Sequence, residues 1–272
     1  MKIILSRKGL DSSAGGKPSP ILENGQIFSI PIPSTDINSP HRYSDVVIND
    51  ISASDMLSLV GAKKLHANTN CHFDPMLKFN TGLFGQAGNA QRELDKLGVG
   101  KGDLFLFFGW FRDFYSWKKP DYHHIFGWLQ VDQVIRGTKQ IREFCDILQI
   151  AHPHAYLDES RYKHNTLFVS QQESMLEVFN LNIRGHGLFP QTNNKLILTE
   201  HGRTRSNWYM PGKYFSPSLN PKLFETRLRW TSPNCNRIKC AGYGQEFVIC
   251  TLKNPSVKDW ARDLFLSSAV ID

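Results

Sequence analysis

No apolar stretch in the sequence approaches the roughly 18–20 residues needed to cross a bilayer as a helix, and the first residues lack the apolar core of a signal peptide. A cytoplasmic location without membrane contact is the expectation. Familiar nucleotide loops are missing too. Neither Gly-x-x-x-x-Gly-Lys-Ser/Thr nor Gly-x-Gly-x-x-Gly occurs, which removes P-loop chemistry and disfavours a dinucleotide or Rossmann methyltransferase site. A Gly-x-Ser-x-Gly elbow, a His-Glu-x-x-His helix and the His-x-Glu with Pro-Cys-x-x-Cys of zinc deaminases are likewise absent. The five cysteines, Cys71, Cys145, Cys235, Cys240 and Cys250, are odd in number and contain no Cys-x-x-Cys pair. Reduced thiols are therefore expected, and neither a disulfide framework nor a zinc knuckle. No repeat, low-complexity tract or Gly/Ser linker divides the chain, so one domain over residues 1–272 is expected.

What the sequence does hold is positive charge, a net +7, which suits a polyanionic partner, nucleic acid before others. One cluster of cations opens the chain. Ile3, Ile4 and Leu5 read as a short strand that empties into a loop carrying Arg7, Lys8, Lys17, Ser12, Ser13 and the pair Gly15 and Gly16. Cations, hydroxyls and glycines that admit close backbone approach are the inventory of an anion cradle. They are equally the composition of a solvated turn.

Further along, residues 26–33 read as an edge strand ended by prolines and pairing with residues 2–5. Residues 54–60 and 85–97 have helical character. The run 104–108, Leu-Phe-Leu-Phe-Phe, is apolar on both faces and belongs in the centre of a sheet, forming a hairpin with residues 124–135, in which Gly127 marks a bulge or a close neighbour. Residues 165–169, 195–199 and 246–250 read as short strands, residues 140–149 and 256–268 as helices, the last docking through Trp260, Leu264 and Phe265. The fold class is α+β: a single domain with a mixed, mainly antiparallel central sheet, open to partial barrel-like curvature, and peripheral helices.

Several groups of residues carry chemistry. His72 and Asp74, one residue apart and followed by Pro75, project to one side of an extended backbone and can share a proton or a metal. Arg112, at the end of the central strand beside Trp110, Phe111, Tyr115 and Trp117, is placed to clamp an anion next to rings that stack on bases. Arg203 and Arg205 lie in a polar loop with Ser206 and Trp208 and can fork onto phosphate. Gln245 can read a base edge, and Glu246 can act as a general base or bind a metal. His152-Pro-His154 has the look of a metal motif, but no partner lies at useful spacing and it is set aside.

With Ser6-Arg-Lys-Gly-Leu-Asp11, Gly15-Gly16-x-Pro18-Ser-Pro20, the strand Gly102-Asp-Leu-Phe-Leu-Phe-Phe-Gly-Trp-Phe111 and the segment Gly244-Gln-Glu-Phe-Val248 all in view, the chain resembles, from its first residue to about residue 250, the third nucleotide-modification-associated domain family. That family is described as an α+β domain encoded beside phage and bacterial systems that modify DNA bases. The resemblance implies that Arg7, Lys8 and Asp11 lead the active-site candidates, with Asp74 next. A fainter likeness over the middle third is to PUA-like and EVE-like barrels that grip modified bases.

The expected activity is base modification of DNA or a nucleotide. Asp11, Asp74 and Glu246 are the catalytic candidates, and Ser6, Arg7, Lys8, Ser12, His72, Arg112, Arg205 and Gln245 the substrate-binding ones. No metal ligand is assigned, the cofactor is unknown, and the partners are nucleic acid or nucleotide, DNA foremost, together with other enzymes of a modification system. One alternative is a non-enzymatic reader with an aromatic cage of Trp110, Trp128 or Trp208. The other is a restriction-type nuclease in which the three carboxylates hold Mg²⁺.

Overall fold

Leu104, Phe105, Leu106, Phe107 and Phe108 have no polar face to turn toward water, and such a run is stable only in a sheet covered on both sides. The computed structural model, which describes residues 1–77, 80–170, 179, 181–226, 228–240 and 246–268, places them accordingly. The strand Leu104–Asp113 is the middle of the main sheet. It pairs in parallel with Lys2–Arg7 and antiparallel with Asp121–Gln130. Outside these, Glu246–Cys250 runs antiparallel to Lys2–Arg7, and His186–Leu188 antiparallel to Asp121–Gln130. Alternation then sorts the side chains into two cores. Ile4, Phe105, Phe107 and Val248 pack on one face with Phe84 and Phe168. Ile3, Leu5, Leu104, Leu106, Phe108 and Phe247 pack on the other, against Trp260, Leu264 and Phe265.

Four helices are described: α1 (Ala53–Leu59), α2 (Gly88–Lys96), α3 (Thr138–Leu148) and α4 (Ser256–Leu266). The Ser52 hydroxyl caps α1 by accepting from Ser54 N. Helix α4 docks as expected; each large apolar side chain it buries adds about 1.5–3 kcal/mol. A smaller sheet, Gln133–Arg136, Thr166–Ser170 and Gly82–Gln86, covers the Phe84 side. The fold is α+β with mostly antiparallel pairing, and the main sheet stays open, so the barrel-like curvature suggested by the middle third is not realised as a closed barrel.

Pairing differs from expectation in three places. The segment 26–33 does not flank the first strand. Its end, Ile32–Pro33, pairs with Asn70–His72 in a separate small sheet, because both sides of Lys2–Arg7 are taken, by Leu104–Asp113 and Glu246–Cys250. Residues 124–135 divide between two sheets, as Asp121–Gln130 and Gln133–Arg136. Of residues 195–199, the first two belong to a 3-10 turn, Asn194–Leu196, and Ile197 and Thr199 make only isolated bridges, to His124 and Trp208, in place of a regular strand. The bulge at Gly127 is present, as a register shift between Ile125 and Gly127.

The amino-terminal loop acquires its position from the sheet. Arg7 is in register with Phe108, and the chain returns to the same neighbour when Ser19 pairs with Phe111, again in parallel. Residues 8–18 are thus expelled from the sheet between two consecutive stretches of one line. Gly9 makes the exit possible. Its φ is +78°, and a Cβ there would sit 2.6 Å from Ser29 Oγ.

Candidate functional site

Asp11 folds the expelled loop. Its Oδ1 accepts from Ser13 N, Ser13 Oγ and Ala14 N, each at 2.7 Å, an Asx turn that makes the side chain a structural cap. The loop divides two cavities, and Arg7, Asp11 and Ser13 line both.

On one side lies the smaller cavity, of about 410 Å³, bordered by Lys8, His72, Asp74, Gly85, Gln86 and His154. His72 ends the strand Asn70–His72, and Asp74 follows two residues later. The Asp74 carboxylate is held by its Oδ1, which accepts from Gly85 N at 2.9 Å and from His152 Nε2 at 3.2 Å. The His152 tautomer is fixed because its Nδ1 accepts from His154 N at 3.2 Å. His154 Nδ1 meets Asn165 Oδ1 at 2.6 Å. Asn165 spends its own amide hydrogens on Thr138 Oγ1 and His154 O. His154 Nδ1 is therefore the donor, and its Nε2 carries the lone pair. A side chain at Gly85 would exclude this ring, since a Cβ there would lie 2.1 Å from His154 Cδ2. Burial pushes His72 down to about 4 and His154 to about 3. Burial opposes charge on Asp74 as well, but the His152 hydrogen bond and the surrounding imidazoles outweigh it and hold the carboxyl at about 2. At neutral pH the Asp74 carboxylate therefore faces neutral imidazoles at His72 and His154.

Glu246 stands behind this cavity. Opposite Ser6 in the sheet register, its Oε1 accepts from Ser6 Oγ at 3.1 Å, Lys8 Nζ at 3.2 Å and Gln86 Nε2 at 2.6 Å. Its buried Oε2 has no hydrogen-bond partner among the described residues. Consecutive residues of one strand thus hold two of the three predicted carboxylates, Gly85 through its N–H and Gln86 through its amide.

On the other side of the loop is a larger cleft of about 1010 Å³ lined by Arg7, Trp110, Lys118, His123, Arg205 and Lys239 among others. Arg205 stacks on Trp110, 3.9 Å from the ring centroid, and donates to Ser12 Oγ. Arg7 donates to Cys240 Sγ at 3.0 Å. His123 Nδ1 accepts from Trp208 Nε1 at 2.8 Å, leaving the ring proton on Nε2, and burial, with Arg7 and Arg205 nearby, lowers its pKa to about 3. Arg112 is not an open clamp. Asp121 holds it by two bonds of 2.8 and 2.9 Å.

Of the predicted site residues, the structure therefore unites His72 with Asp74, and Ser6 and Lys8 with Glu246. Asp11 is turned to loop capping, and Arg205 and Ser12 stand in the cleft with Arg7. Gln245 lies outside the described residues. The three tryptophans form no cage: Trp128 and Trp208 are core residues, and Arg205 covers Trp110. Of His152 and His154, set aside for want of partners, the first bonds to Asp74, 78 residues away in sequence, and the second joins the same cluster. Neither half of that cluster is distinctive alone; only pairing His-x-Asp with His-x-His across the chain would have exposed it.

The site is thus a basic cleft and a buried polar centre on an α+β scaffold, parted by one loop. The chain belongs to the nucleotide modification associated domain 3 family, whose model matches residues 2–250. No curated protein and no solved structure matches it.

Proposed function

We propose that the protein modifies a base of DNA or of a nucleotide within a phage or bacterial DNA-modification system, binding phosphate in the larger cleft and presenting the base to the smaller cavity. The observation that carries this reading is the shared wall: Arg7, Asp11 and Ser13 border both spaces, so a ligand anchored by Arg7 lies within reach of either. Division of labour follows from the chemistry of the two sides. Arg205, Lys118 and Lys239 suit a phosphate backbone, while a cavity of about 410 Å³ falls in the size range of small-ligand sites. A duplex cannot enter such a cavity, so a base from DNA would have to leave the stack to reach it. Asp74 and Lys8 supply charged groups there, Glu246 backs Lys8 from behind, and Asp11 shapes the loop.

The test is mass spectrometry of nucleosides from DNA of cells carrying the neighbouring genes with either the wild type or Asp74→Asn. A nucleoside mass present with the wild type and absent with the variant supports the reading. Identical profiles together with salt-sensitive DNA binding would make the protein a reader, and identical profiles without binding would remove nucleic acid altogether.

A further inference from the structure

We propose that His72, Asp74 and His154 bind one divalent first-row transition-metal ion, with His152 and Asn165 as positioning residues. The ligand atoms of the three side chains lie within 4.8 Å of one another. Ligands at about 2.1 Å from one tetrahedral ion stand about 3.4 Å apart, so closing the set takes side-chain shifts of roughly an ångström. His72 Nε2 and Asp74 Oδ2, at 3.8 Å, are already near that spacing.

Hydrogen bonding separates this arrangement from an ordinary buried network. The groups facing away from the centre are tied: Asp74 Oδ1 by Gly85 N and His152, His154 Nδ1 by Asn165. The groups facing it are not. His154 Nε2 makes no hydrogen bond to a described residue, and the 3.8 Å between His72 and Asp74 Oδ2 is too long for one. A carboxylate oxygen and an imidazole lone pair that converge with a second imidazole at a cavity wall suit a cation. The outward bonds are those that orient metal ligands: a histidine donating its other ring N–H to an oxygen, and a carboxylate itself accepting hydrogen bonds.

Two imidazoles and one carboxylate favour Fe²⁺, Zn²⁺ or a similar ion over Mg²⁺ or Ca²⁺, which take oxygen ligands. Three protein ligands leave positions open toward the cavity, the pattern of catalytic rather than structural sites. Gly85 belongs to the design, since a Cβ would displace His154.

The ion's role in chemistry rests on the reading of the cavity as a base-modifying site; its binding does not. The decisive measurement is metal content of the purified full chain by mass spectrometry, followed by titration of chelator-treated protein with Zn²⁺ and, without oxygen, Fe²⁺. One equivalent per chain is expected, abolished in His154→Ala and in the milder His72→Gln, weakened about 10–100-fold in His152→Phe, and unchanged in His164→Ala, a surface control. Circular dichroism checks that each variant is folded. Absence of saturable binding, or equal binding by folded His72→Gln, overturns the site. A metal-free protein that still alters nucleosides would sink this inference and spare the function; a metal-loaded protein without effect on nucleosides would do the reverse.

Discussion

The two sides of the amino-terminal loop solve the problem of charge in opposite ways. In and behind the inner wall of the smaller cavity two carboxylates are dry and fixed: Asp74 is 3% exposed and Glu246 4% at the side chain, and each is held by hydrogen bonds from its neighbours. In the larger cleft charge is plentiful and shared with water, and Arg112 and Asp121 are each one-third exposed. Coulombic effects grow as the dielectric falls. The cavity side should therefore govern stability and chemistry, and the cleft side affinity and its salt dependence.

The pH response tests this most strongly. Burial depresses His72 and His124 to about 4 and His123 and His154 to about 3 from an ordinary 6.5. Below 6.5 the unfolded chain takes up protons that the folded chain refuses, so stability is complete above that pH and falls as pH drops toward 4. Each such histidine contributes about 1.4 kcal/mol per pH unit. Urea midpoints of metal-free protein between pH 7 and 5 should fall steeply. The double variant His72→Gln/His154→Gln should flatten the slope by two protons, against one for His123→Gln on the cleft side. Equal slopes would dissolve the comparison.

Next in size is the loss of Glu246. In Glu246→Ala, Lys8 stays buried without its carboxylate, and Ser6 and Gln86 lose their acceptor. Breaking such a pair costs about 3–5 kcal/mol. Breaking the half-wet Arg112–Asp121 pair with Arg112→Ala should cost about 1 kcal/mol or less. A third variant, Gly85→Ala, must displace His154, and forcing a group into packed space costs about 1–3 kcal/mol. All three are read from the same urea titration, and an Arg112→Ala effect as large as that of Glu246→Ala would mean that burial does not rank these interactions.

Local pattern makes much of this molecule legible in its sequence. The two-faced apolar run 104–108, the strand 246–250 and the stripe of α4 each declare themselves within a dozen residues, because burial imposes a short period on the side chains. Partners across the chain do not. Lys2–Arg7 takes neighbours from beyond residues 100 and 245, and nothing in Ile3, Ile4 and Leu5 says that they prefer those to the nearer segment 26–33. The site follows the same division. His72 and Asp74 are close in the chain and stand out as a pair, whereas His154 joins them only because Gly85, in a strand paired with Thr166–Ser170, leaves room for its ring. Asp11 carries a local signal of its own, since an aspartate followed by two serines favours an Asx turn.

The smallest expected effect separates two arginines that look alike in the sequence. Arg205 bonds to Ser12 and stacks on Trp110 and feels Asp121 and Asp11 only at longer range, so more of its charge remains to be neutralised by a phosphate. Arg112 is already neutralised by Asp121. Counterion release counts only charges that a phosphate newly meets. In titrations of a short single-stranded DNA at several salt concentrations, Arg205→Ala should therefore lower the slope of log affinity against log salt by about one, while Arg112→Ala leaves it unchanged. If Arg112→Ala lowers the slope equally, the Asp121 pair opens on binding, and the cleft is rearranged by its ligand rather than prepared for it.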